Sequence, residues 1–299
     1  MSALTYYLCL PLVYGIAWLP FPLLYALSDL CFVLVYHVMR YRRGVVRANL
    51  SNAFPEKDAA EIRKIERAFY RWFCDLWLET LKTLTIRGDD LDRRVVVDDD
   101  GVLRHHFSQG RSVILVMGHL GNWELGGARF ARLKLHPLNV IYHPLSNPYF
   151  ERLIARMRTR SGNGLYAMRD TLRNMLRDRD KITATAFITD QSPPPESAHW
   201  TTFLQQPTAV FNGVEKIARK LNYPVLYVSI IPISRGRYSM SFDALVTDPS
   251  NTSPGKITDL HTRRLEQDIR DHPSHWLWTH RRWKHAPPEN RDRPTVPIA

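Results

Sequence analysis

His119 and Glu124 stand five residues apart in the stretch Gly118-His119-Leu120-Gly121-Asn122-Trp123-Glu124. An imidazole can take a proton from a hydroxyl nucleophile near neutral pH, and a carboxylate beside it can orient the ring or stabilise its cation. At 100° per residue the two side chains would point about 140° apart on one α-helix, so they converge only if the histidine lies on a turn. Gly118 and Gly121 make that turn accessible, with His119 at the end of a strand and Glu124 in the first turns of the following helix, where an acid suits the helix dipole. A glycine-flanked turn at the carboxyl end of a buried strand is a common ligand site in α/β proteins. The spacing is not the H-E-x-x-H of a zinc protease, and the chain holds neither a G-x-S-x-G elbow nor a nucleotide-binding loop. His105 and His106 on a helix, and His136 and His143 flanking a strand, show no metal-ligand spacing.

The elements that must position these groups alternate from Arg111 onward. Strands are expected over 112–117, 138–142, 182–188, 225–231 and 238–245, and helices over 123–133, 148–159, 170–179, 213–221 and 256–270. That order predicts an α/β fold with a mixed central sheet flanked by helices. Asp58 opens an amphipathic helix running to about Arg87, with Ile62, Ile65, Phe69, Phe73, Leu76 and Leu84 at three- and four-residue spacing. Such a helix covers a core or rests in a lipid interface, and spacing does not separate the two. A proline-rich tail is expected over 286–299.

Charge is distributed unevenly. The chain has 41 Lys and Arg against 29 Asp and Glu, a net charge of +12 over 299 residues, which points to phosphate-bearing surfaces, whether nucleic acid or anionic lipid. Its 44% hydrophobic content excludes a disordered basic tail, and Cys9, Cys31 and Cys74 have no spacing that suggests a disulfide framework or zinc ribbon. The first 39 residues hold a single charged side chain, Asp29, in two apolar runs, 4–19 and 21–38, broken at Leu19-Pro20-Phe21-Pro22. This reads as a membrane anchor, either one broken helix or a re-entrant hairpin; a hairpin packed on the domain is the competing reading. Arg40, Arg42, Arg43 and Arg47 follow directly, which places the globular part on the cytoplasmic side under the positive-inside rule. The expected division is an anchor over 1–39, a domain over 40–285 and the tail.

These residues carry a resemblance. Gly118 to Glu124 resembles the H-x-x-x-x-D/E motif of the bacterial lipid A biosynthesis acyltransferases, a family within the wider glycerolipid and lysophospholipid acyltransferase group. Asn147-Pro148-Tyr149 through Arg156, Arg158 and Arg160-Ser161 resembles that family's arginine-bearing helix. Thr189-Asp190-Gln191-Ser192-Pro193 resembles its D-Q loop, although Ser192 and three prolines follow where many members have another acid and a glycine. Trp276-Leu277-Trp278-Thr279-His280-Arg281-Arg282-Trp283-Lys284 resembles its W-x-H-R-R-W/F ending.

The resemblance implies transfer of a fatty acyl group from an acyl carrier protein or coenzyme A thioester to a hydroxyl of a lipid A precursor or related anionic lipid at the cell inner membrane, without a cofactor or metal. His119 would be the general base and Glu124 its partner. Arg158, with Arg160 as the near alternative, would bind a phosphate or the thioester oxyanion, and Asn122, Asp190 and Gln191 would serve substrate binding. Asp190 also has two other readings, bracing the histidine or capping a turn. The rival to an acyltransferase is a non-catalytic protein that binds anionic lipid or nucleic acid, with the terminal Trp276, Trp278 and Trp283 stacking bases between cations.

Overall fold

The computed structural model describes residues 3–287, so all but the first two residues of the expected tail lie outside the described residues. Two apolar helices, α1 (Ala3–Trp18) and α2 (Phe21–Phe32, continued as a π-helical stretch over Val33–Val38), lead into α3 (Arg43–Ala53), the long α4 (Ala59–Lys82) and α5 (Gly88–Arg94). Next come β1 (Val95–Asp99), α6 (Gly101–Ser108), β2 (Val113–Met117), α7 (Trp123–Ala131), β3 (Leu138–Tyr142), α8 (Pro148–Thr159), β4 (Gly164–Ala167), α9 (Thr171–Arg177) and β5 (Ala184–Ile188). The chain continues through β6 (His199–Phe203), β7 (Gln206–Val210), α10 (Gly213–Leu221), β8 (Val225–Ser234), β9 (Arg237–Val246) and α11 (Lys256–Asp271).

Seven strands form one mixed sheet in the order β1-β9-β8-β2-β5-β3-β4, parallel except where β8 and β9 pair as a hairpin. This is the expected α/β architecture. The central strand β2 is buried on both sides. Ile114 and Val116 join a core with α3, α4, α10 and α11, while Val113 and Leu115 join a second core with α5, α6 and α7. A near-continuous apolar run is the sequence form of such a strand.

The basic cluster after the apolar segment is partly folded into the domain. Arg43 and Arg47 grip Glu66 at 2.9 and 2.8 Å, and Arg42 donates to the carbonyl of Thr279. Glu66 is fully buried on α4, so two of the cluster's cations neutralise an acid inside the fold. The single acid of the apolar segment is matched in the same way: Arg235, on the β8–β9 turn, binds Asp29 at 2.8 Å and Asp75 of α4 at 2.7 Å.

α2 buries Leu24, Ser28, Phe32 and, past its end, Tyr36, a stripe at every fourth residue, and leaves Leu23, Leu30, Leu34 and Val38 exposed. α1 lies on α4 and α8, with Tyr6 against Tyr149 and Phe150 and with Ala17, Leu10 and Val13 in an apolar cluster with Leu153 and Met157. Its Leu8, Leu12 and Trp18 are exposed. Phe21–Val38 is long and apolar enough to cross a membrane, and 28% of that window is buried against the protein.

α4 begins at a capping box, with Asp58 accepting from the amides of Ala60 and Glu61 while Glu61 accepts from that of Asp58. It ends at Lys82, short of the expected Arg87. The ammonium of Lys82 turns to the carbonyls of Ala17 and Leu19, capping the end of α1.

The β6–β7 hairpin carries no glycine or asparagine at its tip. Phe203 pairs with Gln206 across a two-residue turn, so Leu204 and Gln205 both adopt positive φ, at 48° and 63°. Tight hairpin turns favour Asn-Gly there. Leu204 is fully buried and its amide donates to Glu266, so tertiary packing imposes the conformation. Gln205 is exposed, and a Gln205→Gly variant is therefore expected to gain roughly 1 kcal/mol by relieving left-handed strain, read as a rise of a few degrees in thermal midpoint.

Candidate active site

Parallel pairing of β2 and β5 brings Met117 opposite Ile188, and the amide of Thr189 donates to the carbonyl of Met117 at 3.1 Å. The two chains leave the sheet side by side, which places His119 against Asp190. The Asp190 carboxylate takes three hydrogen bonds: the imidazole Nδ1 of His119 at 2.6 Å, the backbone N–H of His119 at 2.8 Å and the indole N–H of Trp276 at 2.7 Å. Its side chain is 2% exposed and that of His119 is 16% exposed. Burial alone would raise the Asp190 pKa. The charge of His119, its two hydrogen bonds and the Trp276 donor outweigh burial and hold the carboxyl well below the usual carboxylate range. With Nδ1 donating to a carboxylate, Nε2 is the nitrogen that carries the lone pair whenever the ring is neutral.

The imidazole therefore has a different partner from the one the sequence suggested. Glu124 lies on the first turn of α7 in an ion pair with Arg158 of α8, whose Nη2 is 2.6 Å from Oε1. Burial disfavours the Arg158 charge, and Glu124, together with Glu151 and Tyr142, more than restores it. A five-residue separation leaves a pairing undecided, whereas neighbouring parallel strands fix one between residues 71 apart.

The turn is held by the segment that follows α11. Leu120 forms a β-bridge with Trp276, the amide of Gly121 donates to the carbonyl of His275, and the amide of Leu277 donates to that of His119. Gly121 has φ +64°, and a Cβ there would lie 1.9 Å from the carbonyl oxygen of Ile230. A Cβ on Gly118 would meet Leu265 at 2.5 Å and Asp190 at 3.1 Å. Both glycines are required by close approach.

Next to this turn a partly open apolar cavity runs between α7 and the sheet. Leu115, Met117, Ala186, Ile188 and Val140 line it from the strands, with Trp123, Glu124 and Arg158 at one side. Met117 and Ile188 stand two residues before His119 and Asp190. The Trp123 ring lies edge-on to the imidazole at 4.8 Å and also lines the cavity, so this indole stands between His119 and the cavity.

Of the other expected contacts, three are already engaged within the protein. Asp190 braces the imidazole with both oxygens occupied, so the bracing reading replaces a substrate contact. Asn122 is fully buried; its Oδ1 caps α7 at the amide of Leu125 and its Nδ2 donates to Glu79. Arg160 donates to the carbonyls of Thr83 and Ile86, which ties α8 to the loop after α4. Gln191 is exposed beside Asp190. The terminal aromatics are core: Trp276 is 2% exposed and Trp278 0%, Trp283 donates to Thr208, and Arg282 is buried. They offer no platform on which bases could stack. Glu79 and the bracing indole of Trp276 went unassigned at the sequence level. The available sign was an acid at Glu79, three residues after Leu76 on the apolar stripe of a predicted helix.

The depressed pKa of Asp190 sets a pH window. Unfolded, the carboxyl titrates near its ordinary value of about 3.9, and folded it titrates lower, so its stabilisation is complete above that value and is lost as pH falls toward the folded one. The stability gap between the protein and an Asp190→Asn variant should be constant at neutral pH and narrow below about pH 4, as checked by denaturant titrations across that range.

The family model described as "Bacterial lipid A biosynthesis acyltransferase" matches residues 1–285. Among curated relatives, the chain is 25% identical over 283 residues to the "Lipid A biosynthesis palmitoleoyltransferase" of Escherichia coli (strain K12), covering 91% of this chain and 90% of that one. The figures are the same for the "Lipid A biosynthesis acyltransferase" of Shigella flexneri. With the family match running from the apolar N-terminal helices through the His119 turn to the tryptophan-rich ending that packs behind it, the chain belongs to the bacterial lipid A biosynthesis acyltransferases.

Proposed function

We propose that this protein transfers a fatty acyl chain from an acyl carrier protein or coenzyme A thioester to a hydroxyl of a lipid A precursor, with His119 as general base. The observation that carries the reading is the His119–Asp190 pair, with Nδ1 on the carboxylate, beside an apolar cavity lined in part by Arg158. In this reading Nε2 removes the proton of the acceptor hydroxyl as its oxygen attacks the thioester carbonyl carbon. The new C–O bond forms, the C–S bond breaks, and the imidazolium returns the proton to the departing thiolate. Asp190 keeps the ring in the required tautomer and stabilises its cation, the part an aspartate plays in hydrolase triads.

Arg158 then serves the oxyanion, and Glu124 acts as its positioning partner. The guanidinium is 23% exposed at the cavity edge, where a developing negative charge is weakly screened. Leu115, Val140, Ala186 and their neighbours accommodate the acyl chain. Gln191, exposed next to the base, is left to contact the acceptor.

The exposed sides of α1 and α2 supply the membrane contact. The buried stripe of α2 extends over its whole length, so the helix stays against the domain and offers Leu23, Leu30, Leu34 and Val38 to one leaflet, with Leu8, Leu12 and Trp18 of α1. This favours in-plane attachment at the cytoplasmic face of the inner membrane, anchor segment 1–39 and domain 40–285 acting as one body. Trp18 and Trp77 are suited to the interfacial zone.

His119→Ala should reduce acyl transfer by roughly 10²- to 10⁴-fold while vesicle binding is retained, as measured by mass spectrometry of lipid A species in cells that express either protein. Unchanged acylation would remove His119 from its assigned role. Arg158→Lys keeps the charge and loses the planar fork, and is expected to lower kcat about tenfold or more, with a smaller change in KM for the thioester.

A further inference from the structure

α4 carries a buried acid that the mechanism above does not use. Glu79 has no exposed surface. Its Oε2 accepts from Asn122 Nδ2 at 2.6 Å and from the Tyr238 hydroxyl at 2.8 Å, and its Oε1 accepts from the Tyr25 hydroxyl at 2.7 Å. These donors come from three places: the turn after His119, strand β9 and the apolar helix α2. Arg94 approaches the same Tyr25 hydroxyl at 3.3 Å and stacks its guanidinium over Phe21 of α2.

The consequence for the turn follows from the chemistry of an amide. The Asn122 side chain has a donor end and an acceptor end, and α7 starts correctly only if the acceptor end faces the amide of Leu125, 3.0 Å away. Burial pushes the Glu79 pKa up while its three donors pull it down, and Oε2, which receives both Asn122 Nδ2 and the Tyr238 hydroxyl, is an acceptor, so Glu79 draws the Nδ2 end toward itself and directs Oδ1 at the helix. Glu124 lies two residues beyond Asn122 on that same first turn and holds Arg158. Releasing one of the three donors leaves a buried carboxylate oxygen short of a partner, and relaxation of Glu79 then reaches Asn122.

We propose that Tyr25, Glu79 and Asn122 form a buried relay through which helix α2 fixes the first turn of α7, making Glu79 and Tyr25 positioning residues for the site as well as parts of the fold. The apolar N-terminal segment thus contributes to the geometry of the active site and to membrane attachment at once. The kinetic half of this inference rests on the acyl transfer proposed above; the structural half does not.

The test uses the full chain in detergent micelles, where attachment to a bilayer does not limit turnover. Glu79→Gln is nearly isosteric but offers a donor where Tyr25 now finds an acceptor, and Tyr25→Phe removes one hydroxyl and is the milder change. Tyr166→Phe is the control: it too removes a buried hydroxyl bonded to a carboxylate, Asp178 at 2.7 Å, on the edge strand β4. Hydrogen exchange over residues 119–126 should quicken about tenfold in Glu79→Gln and by less in Tyr25→Phe, and stay unchanged in Tyr166→Phe. The first two should lose kcat, by about tenfold for Glu79→Gln, with KM for the thioester within about twofold, and the double variant should be no worse than Glu79→Gln alone. Unchanged exchange over 119–126 in both variants would overturn the relay. Faster exchange with kcat intact would overturn its role in positioning. If instead His119→Ala retains turnover, the acyl-transfer reading fails on its own and the exchange data still decide the relay.

Discussion

A buried carboxylate with too few donors would be expelled or protonated, and this fold is arranged so that Asp190 is neither. Its oxygens receive an imidazole N–H, a backbone N–H and an indole N–H, contributed by the turn after β2 and by the far end of the chain. Each donor imposes a condition. The imidazole and amide require β2 and β5 to be neighbours in register, and the indole requires the segment after α11 to return across the top of the sheet. Once those conditions are met, Nδ1 of His119 faces the carboxylate and the position of Nε2 is fixed without further machinery.

A second set of buried ionisable groups organises the N-terminal third. α4 directs Glu66, Asp75, Glu79 and Lys82 inward, and each meets a different segment: Arg43 and Arg47, Arg235, Tyr25 with Asn122, and the carbonyls that end α1. Buried charges are poor sources of net stability, but an unpaired one is costly, so each pairing penalises any other arrangement of the helices. This explains how two strongly apolar helices, which make few directional contacts of their own, come to occupy defined places on the domain. The same network takes up Arg43 and Arg47, two of the four arginines in the basic cluster over 40–47.

Much of the sheet was legible because its strands are short apolar runs between helical patterns. β3, α8 and α10 fall at the expected residues, and β2, β5, β8 and β9 lie within about three residues of expectation. The elements that went unread have physical reasons. β1 is half acidic, with Asp98 and Asp99 in an edge strand, and β4 is four residues long with a glycine at its start. The β6–β7 turn is made by leucine and glutamine, whose strain is carried by burial of Leu204 and a hydrogen bond from its amide to Glu266.

Residue type and short-range pattern were enough to determine that His119 lies on a glycine turn at a strand end, that the arginines of 152–160 share one helix, that residues 3–38 are apolar, and the family these motifs resemble. What they left open was which carboxylate serves which cation. Glu124 was the nearer candidate in the chain, and Asp190 had three readings. Only the tertiary structure decided, because that choice depends on strand order and on which polar atoms are buried together. Register between β2 and β5 gave His119 to Asp190, packing of α8 on α7 gave Glu124 to Arg158, and burial made Trp276 and Trp278 part of the wall behind the His119–Asp190 pair instead of a binding surface.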